Sequence, residues 1–367
     1  MNEPSVFLTS ELTLAQPEDI SRIREELASG RQGILVVQTA FLGDVILITP
    51  LFRAIRRTFP AAPLTALVIP QCREIIAGLC DRVVTIDKQQ GTPGAWQDVR
   101  REIAGANIGV ALLPHRSFRS GRLVKASGVP VRIGFARGAG QFFHTQTVRY
   151  EYGSYEGSRN LSLLAPFSNE RFDPSPKIRI ASDAEEKVTT ILADLKLTPA
   201  NFVVMAPVSI WKTKEWPHQR YHALALKLDE MHGLTSVVVG GMSDEIACAM
   251  SALRPELNLA GKLTPMESAA LMSRARMVVS GDSAAAHLAT AVGAKQAIIF
   301  GSTAPRFGFA PPTANARVFG LDLWCRPCTD HGRRKCPIYR TAKCLQDIQP
   351  EAILNATSDW LKLNSNA

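Results

Sequence analysis

The residues best placed for chemistry lie in MVVSGDSAAAHLATAVGAKQAIIFGSTAPRFGFAPP, Met277 to Pro312. The short apolar run Met277–Ser280 reads as a strand buried on both faces. Gly281 makes a turn, Asp282 or Ser283 caps, and Ala284–Val292 is a small-residue helix that stops at Gly293. The free N–H groups of its first turn and the positive end of its dipole make an anion site. The plainer alternative is an ordinary capped helix in an α/β sheet. His287 lies four residues after Ser283 and faces the same way. Gly301, Ser302 and Thr303 follow the next strand and supply further donors at the same rim.

Four other groups could act. Asp44, in Gly43-Asp44 directly after an apolar strand, is either a helix cap or a general base. Lys212 and Lys214 precede Trp216-Pro217, where Pro starts a helix. They lie on a loop at a strand's carboxyl end, as phosphate-binding charges or as solvated lysines. Asp244, in Gly240-Gly241-Met242-Ser243-Asp244, is placed to hold a sugar hydroxyl pair or to cap its helix. Cys325, Cys328, Cys336 and Cys344 form C-x2-C-x7-C-x7-C. That pattern suits a structural four-cysteine zinc site, plain thiols or a conditional disulfide. A more diffuse cluster, His115, Arg116, Arg119, Arg122, Lys125, Arg132 and Arg137, follows a strand end. Aromatics do not interleave with it as stacking nucleic-acid grooves require, which argues against a single-strand nucleic-acid binder.

The elements that must position these groups alternate regularly. A lead-in helix over 17–30 precedes strand 33–39, the loop 40–44 and a helix over 45–59. Strands at 64–68, 83–86, 108–113 and 131–135 follow with helices between them, and 138–155 reads as irregular and glycine-rich. After a proline-bearing, weakly apolar stretch the alternation restarts, with strands at 202–205, 236–239 and 277–280. This pattern predicts two Rossmann-like, doubly wound domains with a ligand cleft between them. The boundaries fall at 1–170, a linker 171–177, a second domain 178–348, and a C-terminal helix in 349–367 that could cross back to the first domain.

A chain of 367 residues exceeds what one core usually serves. Its 46% hydrophobic and 20% charged residues are those of a globular protein, and no apolar run approaches a membrane span. The N-terminal MNEPSVFLTSELTLAQPEDISR has acids and prolines where a signal peptide has a basic segment and an apolar one, so a cytoplasmic location is expected. The charge of +9 suggests an anionic partner. No GxGxxG follows a strand, which disfavours dinucleotide binding.

In sequence order, GDVILITPLFRAIRRTFP, KEWP, GDSAAAHLATAVG and FGSTAPRFGFAPP together resemble glycosyltransferase family 9, the ADP-heptose:lipopolysaccharide heptosyltransferases. The segment LLPHRSFRSGRLVKASGVPVRIGF looks most like the type II enzymes, and the likeness runs from about Gly33 to Leu363. The resemblance implies a GT-B fold and inverting transfer of heptose from ADP-heptose to an inner-core lipopolysaccharide acceptor. It places the general base at Asp44 and a donor-phosphate lysine at Lys214. Asp282, Ser283, Ala284 and His287 would take the diphosphate, Asp244 the ribose, and the backbone near Leu263 and Thr264 the adenine. One departure stands out: the family commonly has Gly where this chain has Ala284, which keeps the amide but adds a methyl. His115, Arg116, Arg119 and Arg137 would meet an anionic glycolipid at the inner face of the cytoplasmic membrane, with the protein peripherally bound and no nucleic acid involved. No Asp-x-Asp metal motif is present. Lys214 and the helix tip are therefore expected to stabilise the leaving diphosphate without a cofactor, structural zinc at the cysteines aside. Rival readings are the same scaffold with another nucleotide sugar, or a non-catalytic polyanion-binding protein.

Overall fold

The computed structural model describes residues 17–87 and 94–362. The N-terminal reading at residues 1–16 and Leu363, the last residue of the resemblance, lie outside that range. In chain order, α1 (Pro17–Ala28) precedes β1 (Gly33–Gln38), and α2 (Leu42–Leu47) and α3 (Thr49–Thr58) lead to β2 (Leu64–Val68). Next come α4 (Arg73–Ala77), β3 (Arg82–Thr85), α5 (Ala95–Ala104), β4 (Ile108–Leu113), α6 (Phe118–Ala126), β5 (Val131–Phe135), β6 (Gln146–Val148) and α7 (Glu156–Leu161). The second half runs α8 (Ser182–Asp194), β7 (Phe202–Ala206), α9 (His218–His232), β8 (Thr235–Val238), α10 (Glu245–Ala249), α11 (Pro265–Arg274), β9 (Met277–Gly281) and α12 (Ala284–Ala291). It closes with β10 (Gln296–Ile299), β11 (Ala316–Phe319), α13 (Lys343–Gln346), α14 (Pro350–Ala356) and α15 (Ser358–Leu361).

The strands form two wholly parallel sheets, ordered β3-β2-β1-β4-β5-β6 and β11-β10-β9-β7-β8. Every residue of β1, β4, β7 and β9 is buried, which is why their sequences run apolar without alternating. Strand order reverses between β1 and β4 in one sheet and between β7 and β9 in the other. A doubly wound sheet opens its ligand crevice at such points, outside the carboxyl ends of the strands.

The chain divides into two compact units that are not continuous in sequence. The first comprises Met1–Ala40, Leu51–Glu151 and Arg159–Phe172. The second comprises Phe41–Pro50, Tyr152–Ser158 and Asp173–Ala367, so α2 belongs with the second sheet although its sequence follows β1. The expected single helix over 45–59 is broken at Ile48, just before Pro50, whose ring nitrogen offers no N–H to continue the ladder.

One further expectation needs correction. The region 138–155 is not wholly irregular, because Gln146–Val148 adds a short edge strand beside β5. The C-terminal helices pack into the core of the second unit, where Ile353, Leu354, Trp360 and Leu361 join Trp216, Tyr221 and Leu228. Trp216 donates its indole N–H to the Ile348 carbonyl at 3.0 Å, tying the tail to the loop after β7. Among the described residues no helix is long and apolar enough to cross a membrane.

Candidate active site

The second unit gathers its polar groups at the carboxyl ends of β7, β9 and β10. A Cβ on Gly281 would come within 2.5 Å of the Lys214 carbonyl, so the backbone of the Lys212–Lys214 turn crosses the end of β9 at closest approach. Ser283 is extended and starts α12, and its hydroxyl oxygen is buried with no hydrogen-bond partner among the described residues. His287 is 5% exposed, and its Nδ1 likewise has no partner among the described residues. Burial pushes its pKa down to about 4, Asp282 opposing and Lys214 reinforcing the shift, so the ring is neutral at pH 7. Both atoms are therefore left available to a group bound at the helix tip.

The loops around this helix tip hold one another. Lys214 Nζ lies 2.7 Å from Asp282 Oδ2, with both side chains nearly buried. The Thr303 hydroxyl donates to the same oxygen at 2.8 Å. An ammonium has three donors, so Lys214 can keep Asp282 and still reach a phosphate. Lys212 is spent differently, paired with Glu215 at 2.9 Å and largely exposed, which separates the two lysines that the sequence left equivalent. Between them Thr213 is buried. Its hydroxyl meets Ser302 Oγ at 2.8 Å and accepts from the Arg333 N–H at 2.8 Å, and its carbonyl accepts from the Ser302 N–H.

Asp44 stands at the third position of α2, where its carboxylate accepts from the Phe41 N–H at 3.2 Å. Phe41 has no side-chain acceptor to return, so only half a capping box forms. The cap and the candidate base are thus one group. Gly43 allows this placement: a Cβ there would meet His287 Cδ2 at 2.9 Å and Ala284 Cα at 3.5 Å, so α2 lies directly on the first turns of α12. Burial raises the Asp44 pKa from 3.8 to about 6 and the buried Glu156 adds to the shift, against the Phe41 N–H and Lys214. A strengthened base, an ammonium and a helix tip therefore share one neighbourhood.

The other expected site residues are described by their local partners. Asp244 caps its own turn, accepting from the Gly241 N–H at 2.9 Å and the Ser243 hydroxyl at 3.3 Å. Thr264 and Glu267 cap α11 reciprocally, and Leu263 precedes them half-buried. In the first unit, His115 Nδ1 lies 3.1 Å from Thr39 Oγ1, itself 3.0 Å from Ser120 Oγ, beside the β1/β4 reversal. Arg116 stacks over Tyr150 at 4.6 Å, while Arg119 and Arg137 are exposed. A hollow of about 570 Å³ lined by Phe52, Arg53, Arg57 and Leu79 contains none of the candidate residues.

The cysteine expectation is revised. Burial pushes the Cys344 thiol up to about 11; the Arg326 guanidinium opposes this, and Cys328, Cys336 and Cys325 add to it, so the four are neighbours. Among the described residues, however, no group of three or more His, Cys, Asp or Glu could hold a metal ion. The thiols share a region without converging on a point, and the geometry gives structural zinc no support. Their segment instead braces the site, with the Cys328 N–H donating to the Ser302 carbonyl and Arg326 to that of Gly301. Sequence reading passed over Thr213 and Glu156. Thr213 had a signal, its place between two candidate lysines; Glu156 had none.

Two doubly wound parallel sheets with polar groups at the strand ends define a GT-B architecture, and solved structures share it. The glycosyl transferase family 9 protein of Veillonella parvula superposes with a TM-score of 0.78 at 20% identity, covering 90% of this chain and 97% of that one. Escherichia coli ADP-heptose lps heptosyltransferase II gives 0.72 at 20% identity, covering 90% and 98%. In sequence, the chain is 24% identical over 341 residues to lipopolysaccharide heptosyltransferase 3 of Escherichia coli K12, spanning 87% of this chain and 95% of that protein. The model of Glycosyltransferase family 9 (heptosyltransferase) matches residues 96–338, and the chain belongs to that family. It is a glycosyltransferase.

Proposed function

We propose that this enzyme moves a heptose from ADP-heptose to an anionic acceptor of the lipopolysaccharide inner core, with inversion. The observation that carries this reading is Asp44, its pKa raised to about 6, set against α12 and within the field of Lys214. The relatives named above, an ADP-heptose lps heptosyltransferase and a lipopolysaccharide heptosyltransferase, supply the donor and the acceptor class. Asp44 takes the proton of the acceptor hydroxyl as its oxygen bonds to the anomeric carbon. The bond from that carbon to the diphosphate oxygen breaks on the opposite face. Lys214 and the N–H groups at Ser283 and Ala284 receive the negative charge that ADP carries away. At pH 7 a carboxylate of pKa about 6 is largely ionised and a stronger base than an ordinary aspartate. Ser283 and His287 are placed to hydrogen-bond the diphosphate, and Asp282 holds Lys214 toward it. Leu263, Thr264 and Asp244 would meet the adenosine, and His115, Arg116, Arg119 and Arg137 the acceptor.

A second reading, the same chemistry with another nucleotide sugar, is favoured by Ala284, whose methyl narrows the approach to the phosphates. A donor panel read by release of ADP, GDP or UDP tests the two. ADP release from ADP-heptose with product of inverted anomeric configuration is expected, and release of UDP or GDP alone refutes the heptose assignment.

A further inference from the structure

Between β11 and α13, among the described residues, 320–342 run without helix or strand, and this segment and its edge hold four of the seven cysteines. A connection of that length without regular structure is uncommon in a compact domain and is usually functional. Hydrogen bonds fasten it to the loops around the α12 tip. Arg326 Nε donates to the Gly301 carbonyl at 2.7 Å, and the Cys328 N–H to that of Ser302 at 3.1 Å. The Arg333 carbonyl accepts from the Thr213 N–H at 3.1 Å, and its guanidinium donates to the Cys328 carbonyl at 3.1 Å. No covalent link adds to these bonds, because all four cysteines are free thiols.

The four are not equivalent. Cys344 lies on α13 and packs against the core of the second unit beside buried Leu345. Leu345 in turn lies against Gly301, where an added Cβ would stand 2.8 Å from its Cγ. Cys328 and the Cys344-Leu345 pair therefore both abut the Gly301-Ser302 turn. Cys336 is engaged in its own turn, its sulfur accepting from the Tyr339 N–H at 3.4 Å. Of the three thiols that bear on Cys344, Cys328 bears most strongly. Both are partly exposed, within reach of a small oxidant. Thiols that converge on no common point can still pair.

We propose that Cys328 and Cys344 are a site of reversible oxidation, closed to a disulfide by peroxide and reopened by thiols, whose closure loosens the Gly301-Ser302 turn at the donor site. Burial keeps the Cys344 thiol protonated, so the first attack falls to Cys328. Its thiolate bonds to one peroxide oxygen, the O–O bond breaks and hydroxide leaves, giving a sulfenic acid. Cys344 then loses its proton, attacks that sulfur and displaces water. The pair gives up two electrons and two protons, and one peroxide becomes two waters. An S–S bond holds its sulfurs about 2 Å apart, well inside van der Waals contact, so one residue must move. Cys344 is fixed by its helix and the core, which leaves Cys328 to shift and its N–H to leave the Ser302 carbonyl. The Ser302 hydroxyl meets that of Thr213, next to Lys214, so the change reaches the phosphate site. The disulfide does not depend on which sugar is moved; only the choice of ADP as readout rests on the donor proposed above.

The test treats the reduced full chain with hydrogen peroxide, maps its alkylated peptides without reduction, and titrates ADP before and after. A Cys328–Cys344 linked peptide is expected, with ADP affinity about fivefold lower, the effect of one hydrogen bond, and both reversed by dithiothreitol. Cys328→Ser and Cys344→Ser each abolish the response to peroxide, whereas Cys80→Ser keeps it. The peptide map of the parent needs no variant to fold. A reduced parent that binds GDP or UDP in place of ADP refutes the donor assignment, and the same comparison is then made with that nucleotide. Four results overturn the proposal: no linked peptide at excess peroxide, a Cys325–Cys328 link in its place, unchanged nucleotide affinity in the linked protein, or stoichiometric zinc or iron held by these cysteines in the protein as purified.

Discussion

Replacing Asp44 with asparagine separates what the carboxylate costs the fold from what it gives the reaction. Asparagine matches protonated aspartate in shape and still accepts from the Phe41 N–H that Asp44 holds at 3.2 Å. In the folded chain, ionisation is resisted by burial first and Glu156 second, raising the pKa from 3.8 to about 6. At about 1.4 kcal/mol per pKa unit, the ionised carboxylate costs on the order of 3 kcal/mol, trimmed toward ~2 kcal/mol by its partly exposed edge. The sign follows from linkage. An acid with a raised folded pKa favours the folded state while protonated, and that advantage is lost as pH rises from 3.8 through about 6. Asp44→Asn is therefore expected to be more stable than the parent by ~2–3 kcal/mol at pH 8, with the gap closing below pH 4. Denaturant midpoints at matched slopes measure the gap. In a donor-release assay the same variant should lose about 10²- to 10⁴-fold in kcat while still binding donor. A variant less stable than the parent at pH 8, or a gap independent of pH, refutes the account of burial. Undiminished transfer refutes the base.

Other expected outcomes follow from contacts around the same helix tip. Gly43→Ala places a Cβ 2.9 Å from His287 Cδ2, so α2 must lift from α12; a stability loss of about 1–3 kcal/mol with a fall in kcat is expected in melting and transfer assays. Thr213→Val removes the hydroxyl that meets Ser302 and Arg333, costing about 1–3 kcal/mol and raising the donor KM, whereas Thr213→Ser restores both. His287 is held neutral by burial, so it favours the folded state above pH 6.5 and loses that advantage as pH falls through about 4. Relative to His287→Gln, the parent should lose up to ~3 kcal/mol across that window, and a constant difference would count against a buried neutral ring.

Both sheets were legible in the sequence because parallel strands are buried on both faces and read as unbroken apolar runs, as in Ile34–Val37 and Met277–Val279. The helix tip at Ser283 was legible because strand, glycine turn and small-residue helix follow each other locally. What failed was long-range or too short. Gln146–Val148 is a three-residue edge strand with no alternation to detect. The apolar face of the C-terminal helices shows in the sequence, but not which core it joins. The likeness of Lys212 and Lys214 ends only when Glu215 and Asp282 each take one of them. The contact of Gly43 with His287 joins residues remote along the chain, and no local pattern announces it. The motif resemblance located Asp44 without revealing that its neighbours come from α12.

The discontinuous boundary has a consequence for recombining members of this family. Phe41–Pro50 is compact with the second sheet, although a crossover placed at residues 171–177 would inherit it from the N-terminal parent. Such a hybrid seats one parent's α2 on the other parent's α12, with Gly43 and His287 drawn from different lineages. Transplanting that ten-residue piece along with the C-terminal half keeps the matched pair together, and hybrids built that way should be the ones that retain turnover.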